Sequence, residues 1–470
     1  MKKKKRNSRE YTNVLWLFTG VFALMLGYLA WFQVTQSRDV INNPYNARLE
    51  TFEENVVRGS ILAADGQILA YTRVEADGAE SRIYPFDCTF SHVLGYADYG
   101  KTGIESLGNF QLLTSNAYFI ERFINELQGE KNIGDSLVTT LDVDLQVAAH
   151  DALGTRTGAV VVIEPSTGNV RALVSKPDYD PGTVAENWPE LSTSEDSILL
   201  NRATQGLYPP GSIFKTVTLL EYLRENGMNE DFSFYCTGSV SVGNSSISCY
   251  HGNAHGELDL TGAFAESCNS AFAEIGKDLD VESFQSLASQ LLFNSALPVS
   301  FPYSRSSFSL EEGDSDALKM MTAIGQGDTL VTPMHMAMLV SAVANDGVLM
   351  TPRFLDRTEN YTGQLVERYS TTTYGELMTA EEASVLQRYM RAAVENGTAS
   401  ALQSDVYTAS GKTGTAEYSS NKNESHAWFI GYVSGDKPDL AVCVLVEEAG
   451  SGSEYAVPVA KKIFDAYYAE

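Results

Sequence analysis

Ser212 and Lys215 stand three residues apart, directly behind the run Pro209-Pro210-Gly211. A serine hydroxyl becomes a useful nucleophile only when a neighbouring group takes its proton. A lysine amine can do so if burial or nearby cations keep it neutral. Apolar residues at Ile213, Phe214, Val217, Leu220 and Leu223 recur at helical intervals. The spacing therefore predicts a helix opening at Ser212, with Lys215 on the same face and the helix N-terminus favouring negative charge near the serine. Ser-x-x-Lys alone is common, and a serine before an apolar run is more often a helix cap.

Two further clusters carry suitable chemistry. In Ser267-Cys268-Asn269, between two helical stretches, the serine could relay a proton and the asparagine could hold a substrate amide through donor and acceptor together. The bland reading is a structural turn. In Lys412-Thr413-Gly414-Thr415, the lysine supplies a cation for a carboxylate and the threonine a hydroxyl. Gly414 lets another backbone come close. The bland reading here is an exposed Gly/Ser/Thr turn.

The elements that must position these residues have local signals. Asp65-Gly66 between apolar alternations predicts a hairpin over 56–73, and Pro165–Gly168 a second one over 158–175. Asp142 is placed to cap a helix ending near Gly154, and Thr379 with Glu382 forms a capping box for one ending near Gly397. Residues 117–127 and 333–345 read as helices, and VYTASGKTGTAEY, HAWFIGYVSG and LAVCVLVEE as adjacent strands. The pieces form an α+β domain: a sheet with helices around it.

The amino terminus is basic, and the chain is uncharged from Val14 to Phe32, near the ~20 residues that span a bilayer. This predicts an uncleaved membrane helix with the lysines in the cytoplasm and the remainder outside. Net charge is −27, and the acidic excess lies beyond the tail. Such a surface repels nucleic acid rather than binding it. The expected organisation is a cytoplasmic tail over 1–13 and a membrane helix over 14–32. A stalk with a small β-rich linker or pedestal domain follows over 33–135, and the catalytic domain over 136–470.

The three clusters together, in this order, resemble the signature set of penicillin-binding proteins and serine β-lactamases. Arg58-Gly59-Ser60-Ile61, Thr140-Leu141-Asp142, Asn201-Arg202-Ala203, Gly325 and Gly327 with Thr332-Pro333, and Ala427-Trp428-Phe429 extend the likeness over roughly residues 56–450. The whole is similar to a class B penicillin-binding protein. The resemblance implies a peptidoglycan D,D-transpeptidase of the penicillin-binding, β-lactamase-like fold. Ser212 would be the nucleophile and Lys215 its base. Ser267 and Lys412 would assist the leaving group, and Asn269 would hold the donor peptide. Thr413, Gly414 and Thr415 would bind substrate, with the backbone N–H groups of Ser212 and Thr415 as oxyanion hole. It implies stem peptides as substrates, β-lactams as covalent inhibitors, a membrane glycan polymerase as partner, and no metal or diffusible cofactor.

The chain departs from the family where Ala63-Ala64 replace Asp-Arg before Asp65-Gly66, which puts subfamily placement in doubt more than activity. A D,D-carboxypeptidase, a β-lactamase or β-lactam sensor, and a non-catalytic cell-wall scaffold share the same framework; the intact motifs argue against the last. Five cysteines are present. Cys236, Cys249, His251 and His255 invite a zinc reading, but the long gap between the cysteines argues for a strand-to-strand disulfide or free thiols. Cys268 reads as a small buried filler and Cys443 as core.

Overall fold

The structure, a computed structural model, describes residues 8–35, 55–243, 245–417 and 425–469. The basic run Lys2–Arg6 and most of the expected stalk lie outside the described residues. Helix α1 (Ser8–Thr35) contains the apolar stretch Tyr11–Gln33, none of it buried in the protein. At 1.5 Å per residue it is long enough to cross a bilayer core of about 30 Å.

The chain then builds a mixed sheet from β1 (Ile61–Leu62), β2 (Ile68–Val74), β3 (Glu80–Ile83) and β4 (Ser136–Thr139). The expected hairpin is the β1–β2 pair, turning at Gly66. Helix α2 (Phe119–Gln128) follows the expected helix closely. Arg58 and Arg82 both reach the fully buried Glu105 carboxylate, at 2.7 and 2.8 Å. Arg58 of the amino-terminal signature thus anchors this fold, far along the chain from the serine.

Asp142 caps α3 (Val143–Leu153), its carboxylate accepting from the Leu145 N–H at 3.0 Å. The next hairpin, β5 (Gly158–Glu164) and β6 (Asn169–Lys176), is the second one expected. A 3₁₀ turn over Gly211–Phe214 opens α4 (Lys215–Glu225). Four short strands follow: β7 (Phe234–Cys236), β8 (Ser239–Val242), β9 (Ser245–Ser248) and β10 (Gly256–Leu258). Helices α5 (Leu260–Ala265) and α6 (Asn269–Asp278) meet around Ser267. Helix α7 (Pro333–Ala344) is buried along nearly its whole length.

Strands β11 (Leu355–Glu359) and β12 (Leu365–Arg368) return to the first sheet. Its order is β12-β11-β4-β1-β2-β3. The amino-terminal unit is therefore completed by β4 and by a hairpin from far downstream, so the expected boundary at 135/136 cuts into one sheet.

Thr379 and Glu382 make both bonds of the capping box at the head of α8 (Ala380–Glu395). Strands β13 (Thr408–Glu417), β14 (Ser425–Ser434) and β15 (Leu440–Val446) join β5 and β6 in a five-stranded antiparallel sheet of order β13-β14-β15-β5-β6. Helix α9 (Val457–Tyr468) closes the chain.

The apolar runs of β5 and β15 are explained by cover on both faces. Val161, Ile163, Cys443 and Leu445 enter the core shared with α4, α6 and α7, whereas Val160, Val162, Val442 and Val444 enter a second core with α3 and α9. Strand β13 is left at the edge of this sheet, beside the 3₁₀ turn.

Candidate active site

The turn carrying Ser212 is held from several sides. Gly211 adopts φ +54°, and its N–H donates to Gly325 O at 2.8 Å. Trp428 Nε1 donates to Pro209 O at 3.1 Å. Phe214 stacks on Phe308 at 5.9 Å and meets Phe293 edge-on at 5.7 Å. The expected first turn of an α-helix is here a 3₁₀ turn, in which residues i and i+3 eclipse. It leaves Ser212 half-buried on a cleft and puts Lys215 wholly inside.

Lys215 Nζ donates to Ser267 O at 2.7 Å, Asn269 Oδ1 at 2.7 Å and Ser267 Oγ at 3.2 Å. No hydrogen bond joins it to Ser212 Oγ among the described residues; the amine rests on the Ser267–Asn269 segment. Burial brings its pKa down from 10.5 to about 7, against an opposing pull from Cys268 and Cys249. Ser267 itself adopts φ +56°, the kink that lets α5 end and α6 begin. Asn269 donates through Nδ2 to Ser248 O at 2.9 Å, tying the helix start to the β8–β9 hairpin.

Strand β13 brings the last cluster alongside. Lys412 is wholly buried, its Nζ 5.4 Å from the Phe264 ring centre and 3.2 Å from Thr413 O. Burial, reinforced by the charge of Lys215, holds the Lys412 amine well below the usual lysine range. Thr413 Oγ1 pairs with Thr398 Oγ1 at 2.6 Å. A Cβ on Gly211 would lie 2.6 Å from Thr415 O, and one on Gly414 would lie 3.0 Å from Ile213 Cγ2. The backbones around Ser212 and Thr415 are thus in direct contact.

Ser212, Ser267, Asn269, Thr413 and Thr415 line one cleft of ≈ 710 Å³, and Lys215, Lys412 and Gly414 lie behind its wall. The predicted catalytic and substrate-binding residues of the three clusters meet here. The sequence reading missed Thr398, Ser248 and the opposite wall over 246–253. None carries a short motif; each reaches the cleft through long-range packing. Cys236 and Cys249 are thiols with sulfurs 3.7 Å apart, and Cys443 is core as expected.

The arrangement suits acyl transfer. A hydroxyl sits one tight turn from a buried amine of lowered pKa, and an edge strand offers an extended peptide a place to pair. The backbone of that strand at Thr415 packs directly against the turn bearing the hydroxyl.

The family model described as the penicillin binding protein transpeptidase domain matches residues 158–465, and the penicillin binding protein A dimerisation domain matches 58–137. The peptidoglycan D,D-transpeptidase PbpA of Mycolicibacterium smegmatis is 30% identical, over 94% of this chain and 95% of that protein. The peptidoglycan D,D-transpeptidase MrdA of Haemophilus influenzae is 28% identical, over 92% of this chain and 72% of that protein. Among solved structures, a ceftriaxone acyl-enzyme complex of penicillin-binding protein A from M. tuberculosis superposes with a TM-score of 0.81 at 27% identity, covering 89% of this chain and 99% of that one. The D,D-transpeptidase domain of a peptidoglycan glycosyltransferase from Eggerthella lenta gives 0.78 at 29%, covering 87% and 97%.

Proposed function

This chain belongs to the penicillin-binding protein transpeptidase family, and we propose that it cross-links peptidoglycan stem peptides through an acyl-enzyme on Ser212. The observation that carries the reading is Ser212 on the cleft, one 3₁₀ turn from the buried Lys215 and beside the edge strand bearing Lys412, Thr413 and Thr415. It is a serine-type D-Ala-D-Ala transpeptidase, acylated by β-lactams as its relatives are.

In the first half-reaction the neutral amine of Lys215 takes the Ser212 proton as Oγ bonds to the penultimate D-Ala carbonyl carbon. The tetrahedral oxyanion falls to the N–H groups of Ser212 and Thr415; losing one such donor typically costs about 3–4 kcal/mol of barrier. The C–N bond then breaks. The departing D-alanine amine collects a proton through Ser267, with Lys412 close by. Asn269 holds the donor peptide, and Thr413 with Thr415 holds the terminal carboxylate. In the second half-reaction an amine from a neighbouring stem peptide attacks the ester, its proton passes to the base, and Ser212 Oγ leaves reprotonated.

The membrane helix and the lysine-rich residues before it support a cytoplasmic amino terminus and an external catalytic domain. A membrane glycan polymerase, the source of the uncross-linked strands this reaction consumes, is its proposed partner. The test is to supply the detergent-solubilised chain with uncross-linked glycan, digest it with a muramidase and weigh the products. Cross-linked muropeptide dimers are expected. Monomers that have lost terminal D-alanine, without dimers, would replace the reading with a carboxypeptidase.

A further inference from the structure

Three thiols and one imidazole converge directly behind the Ser267–Asn269 segment. Cys236 Sγ lies 3.7 Å from Cys249 Sγ and 3.4 Å from His255 Nδ1. Cys249 Sγ lies 3.7 Å from Cys268 Sγ. All four donor atoms fall within 4.8 Å of one another. The cysteines are buried and His255 is half-buried at the cleft.

Three of these separations match the edges of a tetrahedral zinc site. Zinc–sulfur bonds of about 2.3 Å and zinc–nitrogen bonds of about 2.0–2.1 Å set S–S edges of about 3.8 Å and S–N edges of about 3.5 Å. The two S–S edges and the one S–N edge found here agree with these values within about 0.2 Å. A disulfide would use two of the sulfurs and leave a buried thiol and an imidazole turned toward it. The surrounding backbone also fits thiolates. Gly238 N–H donates to Cys236 Sγ and Ala271 N–H to Cys268 Sγ, both at 3.4 Å, and Ser270 Oγ lies 3.3 Å from Cys249 Sγ.

The sequence argued against zinc because of the long gap between Cys236 and Cys249. The fold removes that objection. Strand β10 pairs with β7 so that Gly256, next to His255, stands opposite Cys236. The β8–β9 hairpin turns the chain back so that Cys249 N–H donates to Gly238 O at 2.9 Å. His251, the other histidine considered, points elsewhere and packs on Tyr250. Cys268, read as a filler, supplies the fourth corner.

We propose that Cys236, Cys249, His255 and Cys268 bind one zinc ion tetrahedrally, and that this ion clamps the segment on which Lys215 rests. Four protein ligands leave no open position, so the ion is structural and takes no part in acyl transfer. The three thiols lose their protons to solvent on binding. Cys268 lies between Ser267 and Asn269, the two acceptors of Lys215 Nζ, and Cys249 follows Ser248, the acceptor of Asn269. One ion thereby joins both sides of the Asn269–Ser248 bond and fixes one wall of the cleft.

The clamp's effect on acylation rests on the transpeptidase reading, whereas metal content does not, so the two fail separately. The full chain is purified in detergent from zinc-replete culture without chelator. Its metal is counted by plasma mass spectrometry, and its ligands are read by X-ray absorption at the zinc edge. About one zinc per chain with three sulfurs and one nitrogen is expected. Cys236→Ser and His255→Ala each lower that content several-fold. Chelation slows acylation by a fluorescent penicillin about tenfold, with recovery on adding zinc. Fewer than about one zinc per ten chains in the wild type, or a disulfide among these cysteines in non-reducing peptide maps, would overturn the site whether or not the variants fold. Full zinc content with acylation indifferent to its removal would overturn the clamp.

Discussion

Asn269 Oδ1 lies 2.7 Å from Lys215 Nζ, and the same side chain donates to Ser248 O at 2.9 Å. One amide thus fixes the buried amine on one side and the cleft wall on the other. Asn269→Ala removes both bonds. Hydrogen bonds to charged groups are worth about 1.5–3 kcal/mol, so the second-order rate of acylation by a fluorescent penicillin should fall about 10- to 100-fold. A rate within about twofold of wild type would mean that Lys215 needs no help from Asn269.

Gly211 holds the serine turn against β13. At φ +54°, with a Cβ destined to lie 2.6 Å from a backbone oxygen, no larger residue fits without moving Thr415. Gly211→Ala should pull the two oxyanion donors out of register and cost about 100-fold in acylation, with a smaller change in unfolding midpoint. Stopped-flow acylation with parallel thermal melts checks this. A loss of stability with the acylation rate of the folded fraction intact would count against the oxyanion assignment.

Thr413 meets Thr398 hydroxyl to hydroxyl at 2.6 Å on the cleft. If it binds the terminal carboxylate, Thr413→Val should slow acylation by penicillin G about tenfold or more. Acylation by the methyl ester, which lacks the charge, should change little. Equal losses with both compounds would assign Thr413 to packing alone.

His335 sets a pH dependence of stability apart from the chemistry. Its ring is buried in α7, with Nε2 donating to Leu291 O at 2.8 Å and Nδ1 unpartnered. Burial lowers its pKa from 6.5 to about 4. Between those values the unfolded chain binds the proton and the folded chain does not. Stability therefore falls as pH drops below 6.5 and flattens below 4; above 6.5 the ring contributes no slope. The slope is about 1.4 kcal/mol per pH unit. His335→Gln keeps a donor for Leu291 and should remove about 2 kcal/mol of the difference between about pH 7.5 and pH 5. Urea unfolding at both values measures it, and an unchanged difference would show that the ring is hydrated.

Much of this architecture was legible because it is written locally. The Asp142 cap, the Thr379–Glu382 box, the turn at 165–168 and the spacing of Ser212 and Lys215 each involve residues within a few positions of one another. The convergence of the three motifs came from their resemblance to a family, since no periodicity brings residue 412 to residue 215. What escaped was long-range. The hairpin 355–368 closes an amino-terminal sheet nearly 300 residues upstream of it. Thr398 finds Thr413 only across a helix–strand packing, and Cys268 finds Cys249 only after a hairpin and two helices have folded. The first turn is 3₁₀ rather than α because Gly211 and Phe214 are held by Gly325, Phe293 and Phe308, which local propensity does not see.

The central claim is that Ser212 Oγ forms the acyl bond. Intact-mass analysis of the full chain after incubation with penicillin G tests it most directly, using wild type and Ser212→Ala. The account predicts one adduct of the drug's full mass on the wild type, located by peptide mapping to the segment containing Ser212, and none on the variant. An adduct that persists on Ser212→Ala, or that maps to another residue in the wild type, would contradict it.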